Sequence, residues 1–234
     1  MVSGGVTREH EKARYRRRKP IPAIVIVVVL GLAVVIVWTK VIAKASDVNT
    51  AVACAPSSAQ PVAAAGQPKP KPGTPLSYDA LDKIAPEPAA DVKIQVFNAS
   101  TQGGAATQAA NQLAQVGFPQ VTKPAEDPLY PKHDMTCRGQ IRFGANGESA
   151  ARTVSLIAPC TQLVRDNRQD SSVDLALGKN FTGVTPSSEA QQALQQLSTW
   201  AAKHPAPQGG QQALDSVLPQ LSATLLAKAH STQC

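Results

Sequence analysis

Between Lys93 and Phe118 the chain reads KIQVFNASTQGGAATQAANQLAQVGF. An apolar alternation gives way to a small polar and glycine-containing turn, and then to an Ala-rich run of helical period. A strand, a tight turn and a helix in that order aim backbone N–H groups at whatever lies beyond the helix N-terminus. An anion or a sugar hydroxyl could meet them there. Asn98, Ser100, Thr101, Gly103 and Gly104 are therefore the candidate ligand-binding residues. Asn98 and Ser100 could equally hydrogen-bond the turn and cap the helix with no ligand at all. A Walker-type phosphate loop needs Gly-Lys-Ser/Thr, whereas Ala105, Ala106 and Thr107 follow Gly104. The dinucleotide fingerprint, Gly-x-Gly-x-x-Gly with an acidic residue ~20 positions later, is missing too. No nucleotide is expected.

A second chemistry is offered by Asp166, Asp170 and Asp174, which could supply a carboxylate pair for glycoside cleavage. Their spacing also fits a turn between two strands. His133, His204 and His230 are candidate bases, but no serine sits in a Gly-x-Ser-x-Gly elbow. No His-Glu-x-x-His or comparable ligand spacing occurs. His133 and Asp134 lie in PLYPKHDMTC, which reads as a surface loop. The expectation is no catalytic residues, no metal and no cofactor.

These residues need elements to position them. Residues 93–98 alternate as a strand, and a helix over about 104–116 places Ala106, Ala109, Ala110, Leu113 and Val116 on one stripe. Gly117 is a suitable helix stop. Short strands are expected at 120–123 and 140–143. Asn146 is expected to cap a second helix carrying Ala150, Ala151, Val154, Ile157 and Ala158. Strands at 163–166 and over SVDLALG complete a β-α-β, β-α-β-β order. That order predicts an α/β domain with helices packed on a small mixed sheet. Past Pro186 a helix capped by Ser187 or Ser188 carries Ala190, Leu194, Leu197 and Ala201. Another is expected over about 211–229, with a kink or restart at Pro219.

The formal charge of +7 is concentrated in residues 1–20, which hold seven basic residues against two acidic ones. The body is nearly neutral, so nucleic acid is excluded as a partner. Residues 21–38, IPAIVIVVVLGLAVVIVW, contain no charge, and a span of about 20 apolar residues crosses a bilayer as a helix. With Lys40 and Lys44 free to snorkel, the span is taken as 21–42, and the membrane is the first expected partner. The arginines before it place residues 1–20 in the cytoplasm and the rest outside. Ala43-Lys44-Ala45 has the form of a signal-peptidase site, but the apolar run is longer than a signal sequence needs. Residues 43–90 are rich in proline and alanine. They are expected to form an extended spacer of ~3.1 Å per residue, reaching up to ~100 Å. The domains are thus 1–20, 21–42, 43–90, an α/β domain over 91–184 and a helical extension over 185–234.

Four cysteines, Cys54, Cys137, Cys160 and Cys234, all follow the span and suit an oxidising space. Cys137 precedes one strand, and Cys160 follows the helix that returns from it. A β-α unit brings both to one end of the sheet, so Cys137–Cys160 is the expected disulfide, leaving Cys54–Cys234.

VFNASTQGGAATQAANQLAQVGF, with SVDLALGKNF as a closing strand and turn, resembles the LytR C-terminal domain family over roughly 91–184. Ala99 stands where that family often has glycine. In the wider family this domain often follows a catalytic domain that attaches glycopolymers to peptidoglycan; here the upstream residues are occupied by spacer and span. A stand-alone copy on a single-pass anchor resembles a group of actinobacterial envelope-integrity proteins. That resemblance implies a non-catalytic factor binding a cell-wall glycopolymer or an envelope protein. The alternative is an accessory wall-glycan hydrolase or glycopolymer ligase with an unrecognised carboxylate site.

Overall fold

The computed structural model describes residues 21–63, 69–204, 219–230 and 234. Two compact units divide at Ala45 and Ser46. In the first, α1 (Ile21–Val52) begins as an apolar helix whose side chains from Ile24 to Ala43 are all exposed. It is long and apolar enough to cross a membrane, with a mean hydropathy of 2.8. Sheathing such side chains in hydrocarbon removes the cost of leaving them in water.

The second unit is an α/β domain on a mixed sheet. Its strands are β1 (Thr74–Pro75), β2 (Ile94–Asn98), β3 (Ala125–Glu126), β4 (Gly139–Phe143), β5 (Gln162–Arg165) and β6 (Val173–Leu177). The spatial order is β1-β5-β4-β6-β2-β3. Two parallel pairs, β2 with β3 and β4 with β5, are bridged by α2 (Ala105–Gln115) and α3 (Glu148–Ile157). The last strand, β6, enters between them, parallel to β2 and antiparallel to β4. The mixed α/β sheet expected from the order of elements is the one observed.

The core explains the alternation. Ile94 and Val96, Ile141 and Phe143, Leu163, and Val173, Leu175 and Leu177 all face α2 and α3. The helices answer with Ala106, Ala109 and Leu113, and with Ala150, Ala151, Val154 and Ile157. Alanine at these positions lets each helix approach the sheet closely. Gly117 adopts φ 99°, and Phe118 N–H reaches back to the Leu113 carbonyl at 3.0 Å, closing α2 with a Schellman turn.

Boundaries differ in two places. Residues 120–123 make only a bridge from Val121 to Ile94, and the ordered strand lies later, at Ala125–Glu126. Asn146 does not cap α3. It sits in a 3-10 turn, Ala145–Gly147, and donates instead to the Gln169 carbonyl.

The spacer is a correction. α1 continues through Val52, and the described stretches 54–63 and 69–90 are laid across the domain as a strap. Val62 N–H donates to Pro128 O, β1 pairs antiparallel with β5, and Leu76 N–H donates to Leu163 O. Leu81 is fully buried in the main core, with Leu76 and Ile84 packed against it. Consecutive turns run over 78–83. Proline denies the strap a regular ladder but leaves its carbonyls and its few aliphatics free to dock. A Cβ at Gly73 would overlap the Arg165 carbonyl oxygen, so glycine there permits the close approach.

The disulfides are corrected as well. Cys54 bonds Cys137 (Cα–Cα 4.9 Å) and Cys160 bonds Cys234 (Cα–Cα 5.4 Å). Cys137 and Cys160 do lie at one end of the sheet, each two residues before its strand. They serve different surroundings. Cys137 packs with Ala99, Tyr130, Met135 and Ala176, where the strap delivers Cys54. Near Cys160, α3 packs through Leu156 on α4 (Ser188–Lys203) and α5 (Ala223–His230), the helix that leads to Cys234.

Ser187 caps α4, accepting from Ala190 N–H at 3.1 Å. Of the expected last helix, the described part is α5; residues 211–218 lie outside the described residues.

Candidate functional site

The turn between β2 and α2 is split in two. Asn98 and Ser100 are 6 % and 1 % exposed, while Thr101, Gly103 and Gly104 are exposed. Asn98 Oδ1 accepts from both the N–H and the hydroxyl of Ser100, each at 3.1 Å. Asn98 Nδ2 donates to Gln102 O, and Ser100 Oγ accepts from Gln102 N–H. Their polar groups are turned inward and satisfied by the turn itself. Among the described residues no side chain caps α2, whose N-cap Gly104 sits at φ 77°. The candidate residues are thus brought together, with only the last three facing outward.

The carboxylate trio resolves into an arginine clamp. Arg168 Nη2 lies 2.7 Å from Asp166 Oδ2 and 2.5 Å from Asp174 Oδ2. Burial disfavours the guanidinium charge, but hydrogen bonds to Asp174 and Asp166 outweigh that and raise its pKa. Asp170 accepts from Ser172, and those hydrogen bonds hold its carboxyl below the usual range. Two carboxylates pinned to one arginine close the β5–β6 turn.

The histidines stand apart from one another. His133, in the loop after β3, has a left-handed backbone (φ 56°) and lies 3.4 Å from Glu126. His204 ends α4 and stacks on Trp200. His230 is buried at the end of α5, stacked on Tyr78, with Nδ1 3.0 Å from Asp82 Oδ1. Burial, and then the Arg152 charge, lower its pKa, so a neutral imidazole donates to Asp82.

The feature that residue patterns did not single out lies on the sheet face turned away from α2 and α3. Alternation places Gln140 and Arg142 of β4 beside Gln162 and Val164 of β5 on that face. Arg142, 3 % exposed, makes a bidentate pair with Asp127, 1 % exposed, at 3.0 and 2.7 Å. Its Nε donates to Gln140 Oε1, and Gln140 Nε2 donates to Gln162 Oε1. The Tyr130 ring lies over the guanidinium at 5.8 Å, and its hydroxyl donates to Ala55 O of the strap. Burial raises the Tyr130 pKa, so the phenol stays neutral. A cavity of about 260 Å³ separates this row from the strap, walled by Pro56, Pro75, Tyr130, Gln140, Arg142 and Gln162. The available signal was the polar residue at every second position of GQIRF, a strand whose other face, Ile141 and Phe143, is apolar.

Fold and sequence together define the class. The profile of the LytR C-terminal family, described as LytR cell envelope-related transcriptional attenuator, matches residues 91–181. The chain belongs to this family. Over 199 residues it is 35 % identical to the cell envelope integrity protein Cei of Mycobacterium tuberculosis, covering 85 % of this chain and 82 % of that one. The crystal structure of the soluble domain of a conserved hypothetical secreted protein from Mycobacterium marinum is also similar. It is 35 % identical, covers 70 % of this chain and all of that one, and has a TM-score of 0.58.

Proposed function

We propose that this chain is a non-catalytic factor of the cell envelope, held by α1 in the membrane with its α/β domain on the outer side. It acts by binding a cell-wall polymer or an envelope protein. The name of the Mycobacterium tuberculosis relative and the secreted character of the Mycobacterium marinum one support the compartment and the role. The apolar helix supports the anchor.

The observation that carries the binding reading is that Asp166 and Asp174, two of the aspartates offered for glycan chemistry, and Asp127 beside the cavity are tied up in ion pairs. Asp166 and Asp174 share Arg168, and Asp127 is locked onto Arg142. A hydrolase or ligase needs one carboxyl to give up a proton while another stays charged and free. These carboxylates are instead spent on holding turns and strands.

The test uses the full-length chain in detergent with isolated cell walls. Co-sedimentation with the walls, without release of soluble sugar, is expected. Steady release of soluble wall fragments would favour the hydrolase alternative. Failure to sediment, together with failure to crosslink to envelope proteins in living cells, would end the binding reading.

A further inference from the structure

The polarity of the row on the second sheet face is set by its arginine. A guanidinium only donates. Arg142 Nε therefore fixes the Gln140 amide with its oxygen toward the arginine and its nitrogen toward Gln162. Gln162 must in turn present its oxygen to Gln140, which leaves its –NH₂ as the end of the line. Among the described residues nothing accepts from that amide, although Gln162 is only 7 % exposed. It lines the 260 Å³ cavity under the strap.

That donor is not sealed in the core: it opens on the cavity, where a ligand oxygen can take the place of water. We infer that this cavity is a binding site for a single neutral sugar ring, held by the Gln162 amide against Tyr130 and the strap prolines. The inference rests on the wall-binding reading above and names where and what it binds.

Charge narrows the ligand first. Among the described residues the one cation in the cavity wall, Arg142, is already neutralised by two hydrogen bonds to Asp127. Phosphate or carboxylate would find no free positive charge. An acyl chain would leave the amide unpaired. A peptide strand would need a free sheet edge, and β1 already occupies the outer edge of β5 at Arg165 and Val164. A sugar ring offers what remains: hydroxyl oxygens for the amide, and C–H faces for the flat sides of Tyr130, Pro56 and Pro75. The volume lies below the usual range for drug-sized ligands, about 300–1,000 Å³, and suits one ring rather than a chain. The wall of the cavity is tied to its floor by the Cys54–Cys137 disulfide and by Tyr130 on Ala55.

The experiment is saturation-transfer NMR on the full-length chain in detergent. The probes are glucose, galactose, arabinose and N-acetylglucosamine, with inorganic phosphate as the charged control. At least one sugar is expected to bind at millimolar concentration, and phosphate is not expected to compete. Gln162→Leu should weaken binding about tenfold. Pro56→Trp, which places a ring at the exposed rim and leaves the buried row intact, should abolish it with an unchanged melting temperature. Binding unaffected by Pro56→Trp, competition by phosphate, or no sugar binding at all would overturn the inference. Cell-wall sedimentation run alongside separates the two readings. Walls bound without sugar binding removes this site alone, whereas sugar bound without wall binding keeps the site and removes the wall-binding reading.

Discussion

Asp127 and Arg142 meet as a buried, two-pronged ion pair, with Nη1–Oδ1 at 3.0 Å and Nη2–Oδ2 at 2.7 Å. The pair joins two parts of the chain that no ladder links, since Asp127 follows β3 at one edge of the sheet and Arg142 is central in β4. Asp127 Oδ1 also accepts from Leu129 N–H, so the carboxylate shapes the loop that carries Tyr130 to the strap. Removing one charge strands the other in a dry site. Arg142→Met is expected to cost about 3–5 kcal/mol. The double change Arg142→Met with Asp127→Asn should cost less than the single one, because no lone charge remains. Denaturant melts of the three variants check this; additive losses would mean that the pair is not the unit of stability.

The disulfides bind the strap and the last helix to the domain. Cys54–Cys137 closes 83 residues and Cys160–Cys234 closes 74. Restricting loops of this length in the unfolded chain contributes roughly 4 kcal/mol each. Cys54→Ser should therefore lower stability by about that amount and expose the 54–63 stretch to proteolysis, while α5 stays protected. Cys234→Ser should do the reverse. Non-reducing peptide maps should show Cys54 with Cys137 and Cys160 with Cys234. A Cys137–Cys160 peptide would contradict the arrangement.

What the sequence made legible was whatever repeats with a short period. Ile94 and Val96, or Val173, Leu175 and Leu177, announce a strand because each side chain reports its own face. The stripe from Ala106 to Leu113 announces a helix for the same reason. The strap carries no such period. Its docking depends on Leu76, Leu81 and Ile84, apolar residues scattered among prolines, and on carbonyls that any residue possesses. The cysteine pairing failed for a related reason. Chain direction put Cys137 and Cys160 at the same end correctly, but it carries no information on what packs against each. The candidate turn was found from its pattern, and its inward-facing half was one of the two roles open to Asn98 and Ser100. The Asp127–Arg142–Gln140–Gln162 row was hidden because its members come from a loop and two strands and share no local motif.

The turn before α2 gives a prediction that separates its two halves. Asn98 makes three hydrogen bonds inside the turn and Ser100 makes three, all largely buried. Asn98→Ala is expected to cost about 1–3 kcal/mol and Ser100→Ala about 1 kcal/mol. Thr101→Ala, at an exposed position, should stay within about 0.5 kcal/mol. Wall sedimentation should follow stability in the first two variants and remain unchanged in the third. Loss of sedimentation by Thr101→Ala at unchanged melting temperature would instead make the exposed half a ligand contact.

Two titrating groups bend the stability of the domain in opposite directions with pH. Burial, helped by the Asp91 charge, pushes Glu87 up to about 7 from an ordinary 4.5. Between those values the unfolded chain releases a proton that the folded chain retains. Stability is therefore full below about pH 4.5 and falls as pH rises through 7. The shift corresponds to about 2 kcal/mol once solvent screening of a partly exposed group is allowed for. His230 runs the other way. Burial and Arg152 hold it below 6.5, so the unfolded chain takes up a proton that the folded chain refuses. Its contribution is present above pH 6.5 and is lost as pH falls through the folded-state value. In the parent chain the two slopes oppose each other in weakly acidic solution. Glu87→Gln should remove the loss on the alkaline side, leaving a chain about 2 kcal/mol more stable at pH 8 and steadily weaker on acidification. His230→Gln, which keeps a donor for Asp82, should leave a chain whose stability only falls as pH rises from 4.5 to 7. Melting curves of both variants across pH 4 to 8 test the signs directly. Parallel pH profiles for the two would show that neither group controls the balance.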